Sequence, residues 1–207
     1  MVGSQPSLFA PSSVALNPEA TFERFELADG AWVDVARDWL GGADLVCDQL
    51  VEDVSWRQRR RRMYDRVVDE PRLTRWYRAA DALPHPVLGQ FRSAMAARYS
   101  ALRARPISFG TIGLNYYRDG ADSVAWHADR ELRRLDDTLV AILTLGATRP
   151  FLLRPSGGGR SLDIRPASGD VLVMGGTAQA CYEHAVPKSA GVSEPRISAS
   201  IRWVAAR

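Results

Sequence analysis

Pro195-Arg196-Ile197-Ser198-Ala199-Ser200-Ile201-Arg202-Trp203-Val204 alternates without a fault. Arg196, Ser198, Ser200 and Arg202 share one face of an extended chain, and Ile197, Ala199, Ile201 and Trp203 share the other. That is a β-strand with an apolar face against a core. Two arginines on its polar face want anionic partners. Their α-carbons would lie roughly 20 Å apart at ~3.3 Å per residue, too far to grip one carboxylate unless the strand bends. They could hold the two ends of a small dicarboxylate, or be the solvated arginines of an edge strand.

Upstream as far as residue 106 the texture is the same. Short runs of Ile, Val, Leu and Phe alternate with turn residues, predicting strands near 107–117, 123–129, 138–145, 149–154, 161–165, 170–174 and 180–186. Gly157-Gly158-Gly159 and Ala167-Ser168-Gly169-Asp170 mark turns. About eight short strands in about 100 residues fit a sandwich, barrel or jelly roll. Before them, Val87, Leu88, Phe91, Met95, Tyr99 and Leu102 recur at helical steps, so 86–104 is expected to be a helix that Pro86 starts and Pro106 helps to stop. Shorter helices are expected at Asp34–Leu40 and Leu45–Leu50, and residues 1–20 read as a loose tail. The whole predicts an α+β, mainly β chain: a tail (1–20), a helical region (21–105) and a β core (106–207) forming one compact domain.

Of 207 residues 46% are hydrophobic and 25% charged, which suits a globular protein and excludes collagen, coiled coil and disorder. No apolar run approaches the ~18 residues of a membrane helix, and the first residues lack the basic and apolar regions of a secretory signal. Cys47 and Cys181 are too few for a disulfide scaffold or a cysteine zinc site, and each reads as packing. A monomer in a reducing cytoplasm is expected. The net charge of +3 permits a polyanionic partner. Lys188 is the one lysine among 27 basic residues, so arginine clusters carry less meaning than in a chain of mixed usage.

The chain holds three histidines. His85 lies between two prolines and reads as a surface loop. His127 stands two residues before Asp129, on one strand face if the strand continues, and His184 follows 55 residues later on another strand. Two imidazoles and one carboxylate with open positions make the facial triad of non-haem Fe(II) oxygenases. The bland alternative is an Asp129 that holds a turn and a His184 satisfied in the core. Asn115 and Tyr117 share a face just upstream and could hydrogen-bond a carboxylate.

Taken together, Asn115-Tyr116-Tyr117-Arg118-Asp119-Gly120, His127-Ala128-Asp129-Arg130-Glu131, Gly169 to Gly176, Tyr182 to Pro187 and Arg196 to Arg202 resemble the AlkB family of Fe(II)/2-oxoglutarate dioxygenases. The Arg-x5-Arg strand after the distal His discriminates it from other oxygenases of the class. The resemblance covers 106–207 well and 56–105 loosely. It implies a double-stranded β-helix (jelly-roll) core with N-terminal helices packed on it, and Fe(II), 2-oxoglutarate and O2 as cofactor and cosubstrates. His127, Asp129 and His184 carry over as iron ligands. Asn115, Tyr117 and Arg196 carry over to the cosubstrate, with Ser200 and Arg202 beside it. Trp56, Tyr64 and the His127 ring are implied to stack on a flipped base, Glu131 to meet its exocyclic group, and Arg62 and the run Arg59 to Arg62 to meet phosphates. The implied function is oxidative repair of N-methylated DNA. RNA or tRNA, or a small molecule or protein hydroxylated by the same superfamily, are the alternatives.

Overall fold

The computed structural model describes residues 13–63, 65–129 and 131–205; residues 61–63 and 66 are described at the backbone. In chain order the elements are β1 (Ala15–Leu16), β2 (Phe22–Glu26), β3 (Ala31–Ala36), β4 (Leu40–Gly41), α1 (Ala43–Asp53), β5 (Arg57–Met63), β6 (Arg66–Tyr77), α2 (Pro86–Arg103) and β7 (Ile112–Tyr117). There follow β8 (Val124–His127), β9 (Thr138–Gly146), β10 (Phe151–Pro155), β11 (Leu162–Ile164), β12 (Val171–Gly176), α3 (Ala178–Cys181), β13 (Tyr182–Val186) and β14 (Arg196–Val204).

Two antiparallel sheets face each other. The larger has eight strands in the order β2-β3-β12-β9-β14-β7-β6-β5, and the smaller has four, β11-β10-β13-β8. Between them lies one apolar cluster, including Val33, Val35, Val140, Ile142, Leu172 and Met174 from the large sheet and Phe151, Leu153, Ile164 and Val186 from the small one. On the far side of the large sheet a second cluster takes Ile197, Ala199 and Ile201 together with Val46 and Leu50 of α1 and Val87, Leu88, Phe91, Met95 and Tyr99 of α2. This is the double-stranded β-helix, helices on its outer face, and the alternation along β14 is what separates the two clusters. Among the described residues no helix is long and apolar enough to cross a membrane.

Several expectations need correction. Residues 34–36 end a strand, not a helix: Ala31–Ala36 is buried on both faces, so its two valines pack between sheet neighbours and no alternation survives to reveal it. The 21–105 region is not mainly helical, because β2, β3, β5 and β6 all belong to the large sheet. The end of the supposed loose tail is held, with Ala15 and Leu16 pairing Gly41 and Leu40. His85 caps α2, its ring accepting a hydrogen bond from the Val87 amide at 3.1 Å. Leu102 is 59% exposed and lies off the buried stripe of that helix. Cys181 closes the single turn of α3 instead of sitting in a strand.

Candidate active site

The small sheet brings two histidines together. His184 on β13 and His127 on β8 are directly paired, so their side chains leave the same face. The ring centroids are 4.2 Å apart, and Phe151 stacks beneath His184 at 5.4 Å. His127 Nδ1 lies 2.9 Å from the carbonyl of Ala125. With its proton on Nδ1 the ring keeps a lone pair on Nε2. His184 is buried and its Nδ1 has no partner. Burial, helped by the neighbouring His127, pushes its pKa down to about 3. Burial thus keeps the His184 imidazole neutral, the form that binds a metal.

Asp129 lies beyond the end of β8, so its place is not set by strand parity. Three attachments hold it instead. Its amide donates to Gln179 Oε1 at 2.9 Å, and its carbonyl accepts from the amides of Leu132 and Arg133. Its carboxylate accepts from Arg202 Nε at 2.7 Å and Nη2 at 3.1 Å. Burial would raise the carboxyl pKa, but the Arg202 fork and charge, with the two imidazoles, overcome it and hold the group below its ordinary value. Among the described residues no three His, Cys, Asp or Glu side chains form a finished cage. The donor set nonetheless fits Fe(II): an orphaned buried imidazole, a second imidazole beside it and an ionised carboxylate.

On the large sheet, Arg196 is 1% exposed and, among the described residues, no carboxylate pairs with it. Among the described residues its guanidinium reaches the Thr144 hydroxyl at 3.3 Å and the Pro166 carbonyl at 3.4 Å, and its Nε has no partner. Burial pushes its pKa down to about 10, still well above neutrality. Tyr117, its cross-strand partner, is buried and feels the charges of Arg72, Arg196 and Arg149. Asn115 Oδ1 accepts from Arg72 Nε at 3.1 Å, which leaves the amide NH2 to donate elsewhere. The two strand arginines therefore do not share an anion: Arg202 is committed to Asp129, and Arg196 is left without one. Ser200 Oγ donates to the Gly113 carbonyl and accepts from Arg202 Nη1, so its proton braces the strand and is not free for a cosubstrate.

On the substrate side, Trp56 does not sit where the family resemblance implies. It packs on Tyr116 at 5.0 Å, donates to the Val51 carbonyl and joins the helix-side cluster, across the sheet from the histidines. Tyr64 lies outside the described residues, as does the Arg62 side chain; the Arg62 backbone pairs Val67 in the β5–β6 hairpin. Glu131 is exposed in the turn after Asp129. The aromatic that does reach this face is Trp76 on β6, 40% exposed, with the Arg202 guanidinium 5.4 Å from its ring. Its partner is Gly113, where a Cβ would come within 2.7 Å of the indole, so only glycine lets the ring lie there. A groove lined by Arg57, Gln58, Arg59, Thr74, Arg75 and Trp76 takes in this ring. Arg72 and Trp76 lie in a stretch where no strand is expected from the sequence; what places them is the pairing of Trp76 to Gly113 and the Arg72 hydrogen bond to Asn115.

The fold and these residues define a class. The chain belongs to the 2OG-Fe(II) oxygenase superfamily, whose model matches residues 41–202. Two solved structures share the fold: a 2OG-Fe(II) oxygenase family oxidoreductase from Burkholderia pseudomallei (TM-score 0.58, 14% identity, 84% of this chain and 85% of that one) and a Trichoplax adhaerens prolyl hydroxylase in complex with a hypoxia inducible factor peptide fragment (0.63, 12%, 83% of each). Sequence relatives narrow the class to the AlkB family. The chain is 33% identical over 182 residues to mouse alpha-ketoglutarate-dependent dioxygenase alkB homolog 3 and 32% identical over 185 to its human counterpart. It is 31% identical over 119 residues, 46% of this chain and 38% of the relative, to the Arabidopsis thaliana DNA oxidative demethylase ALKBH2. Each match to homolog 3 takes in 78% of this chain and 62% of the relative's length.

Proposed function

We propose that this chain is an Fe(II)/2-oxoglutarate-dependent dioxygenase that removes N-methyl groups from alkylated DNA bases of the 1-methyladenine and 3-methylcytosine type. The observation that carries the reading is Arg196, a buried cation with no carboxylate among the described residues, paired across the strands with Tyr117 and close to Asn115. Such a group is costly unless an anion completes it, and the distal carboxylate of 2-oxoglutarate is that anion. His127, Asp129 and His184 would hold the iron, which with 2-oxoglutarate and O2 supplies an oxidant able to hydroxylate a methyl carbon. Tyr117 and the free NH2 of Asn115 orient the cosubstrate. Arg202 keeps Asp129 ionised and in place. The hydroxymethyl on the base nitrogen then breaks at its N–C bond, giving formaldehyde and the restored base; succinate and CO2 are the other products.

The nucleic-acid part is supported by the Arabidopsis relative, a DNA oxidative demethylase, by the exposed Trp76 face, which suits a flat base, and by the arginine-lined groove. Free Cys47 and Cys181 suit a reducing compartment such as the cytoplasm, where the chain is proposed to act as a monomer. The test is formaldehyde and succinate release from methylated single- and double-stranded DNA, methylated RNA and a panel of free amino acids. Turnover on DNA is expected to exceed the rest. Turnover on amino acids alone would overturn the substrate class.

A further inference from the structure

We propose that Gln179 is a positioning residue of the metal centre, fixing the main chain of Asp129 so that its carboxylate faces His127 and His184. The inference rests on those three residues being the metal ligands.

Gln179 sits in α3 and is 1% exposed. A buried amide has one strong acceptor and two donors to satisfy. Its Oε1 takes the Asp129 amide at 2.9 Å. That orientation is forced, because an N–H can be met only by the oxygen end. The Nε2 end then reaches Met174 Sδ at 3.8 Å, a weak acceptor on β12. The one strong bond of this side chain is thus given to the ligand loop.

The bond matters because of where strand pairing stops. His127 is fixed by its pairing to His184, but β8 ends there, and among the described residues no strand pairing reaches Asp129. The Leu132 and Arg133 amides hold its carbonyl and Arg202 draws its carboxylate toward β14. Among the described residues only Gln179 fixes the peptide plane on the amino side, which sets how far the carboxylate follows Arg202. The short segment 178–184 therefore carries His184 and, through Gln179, also sets Asp129, so both are placed by one piece of chain.

The experiment uses the full chain without iron and Mn(II) as a redox-silent probe, titrated by the loss of free Mn(II) signal, with thermal stability and exchange of the Asp129 amide proton measured in parallel. Gln179→Met removes the acceptor at similar volume. It is expected to weaken Mn(II) binding about tenfold, the effect typical of an outer-shell partner, and to speed exchange at Asp129. Met174→Leu disturbs the same packing but leaves the Asp129 bond; its Mn(II) affinity is expected to stay within about twofold of the parent. Unchanged Mn(II) affinity in Gln179→Met overturns the proposal. So does an equal loss in Met174→Leu at the same melting temperature, which would make the role one of packing. Should Gln179→Met not fold, Gln179→Asn, one methylene too short, carries the same expectation. His184→Ala tells the two readings apart. If it binds Mn(II) normally, the metal centre is wrong and Gln179 falls with it. If it loses Mn(II) while the Gln179 variants keep it, the positioning role alone falls.

Discussion

Arg196 costs the protein stability when no anion is present, and that separates its role from ordinary packing. Replacing a buried unpaired cation by an apolar side chain is often neutral or stabilising. Arg196→Met is therefore expected to leave the melting temperature of the cosubstrate-free protein unchanged or higher, while 2-oxoglutarate binds roughly ten- to a hundredfold more weakly through loss of a charge-assisted pair. Arg196→Lys should recover part of the affinity, since a point charge cannot reproduce the planar fork. Calorimetric titration of the cosubstrate checks both; normal binding by Arg196→Met would refute the assignment. A different arginine pair gives a pH signature. Asp122 is buried and takes three hydrogen bonds from Arg118; burial opposes its ionisation, but those bonds win and lower its pKa. A lowered folded pKa contributes stability that is whole above the ordinary value near 3.8 and is lost as pH falls below it. Asp122→Asn should thus cost about 1–2 kcal/mol at pH 7, discounted for the exposed Arg118, with the gap to the parent closing in acid. His85→Ala should cost about 1 kcal/mol through the lost cap. His127 and His184 stood out in sequence because histidine is scarce here, and Arg196 and Arg202 because their strand alternates; the capping role of His85 did not stand out. Gln179 was not, because its meaning depends on a partner 50 residues away.

At the level of elements, the strands after residue 106 were legible because short apolar runs alternate there with turn residues, even where both faces are buried, as in β9 and β12. The misreadings came where that texture is missing. In β3 the buried run is interrupted by Asp34 and no glycine or proline separates it from Trp39 and Leu40, and β5, rich in arginine, shows no apolar face at all. Trp56 illustrates the consequence: the family resemblance implied a base-stacking role, but this residue, just before β5, packs on the helix side. Trp56→Ala should therefore cost about 2–3 kcal/mol of stability, under the 3–5 of a fully buried Trp, and leave oligonucleotide affinity in the folded protein unchanged. Neutralising Arg59 to Arg62 on that hairpin should do the reverse. Affinity for methylated oligonucleotides should fall, and the slope of log affinity against log salt should flatten by at most about 0.7–0.9 for each phosphate no longer neutralised. An unaltered slope would make the run a solvated strand.

Taken as a whole molecule, the change of texture at residue 106 is not a structural seam. β6 pairs β7 and β3 pairs β12, so strands from before the boundary complete the sheet that holds Arg196 and Asn115. A fragment beginning at 106 should then fail to fold cooperatively, which circular dichroism melts would show against the full chain. The large sheet also ends at β5, whose outer hydrogen-bonding groups face no neighbouring strand among the described residues. An open edge of this kind invites copies of the protein to add to one another, and charge along it is the usual deterrent. The arginines that begin β5, Arg57, Arg59 and Arg60, supply that charge. The hairpin proposed to meet phosphates is, on this reading, also what keeps the protein in solution. The variant with Arg59 to Arg62 neutralised should scatter light at concentrations where the parent stays clear, and should clear again when a single proline is set into β5 to spoil the edge.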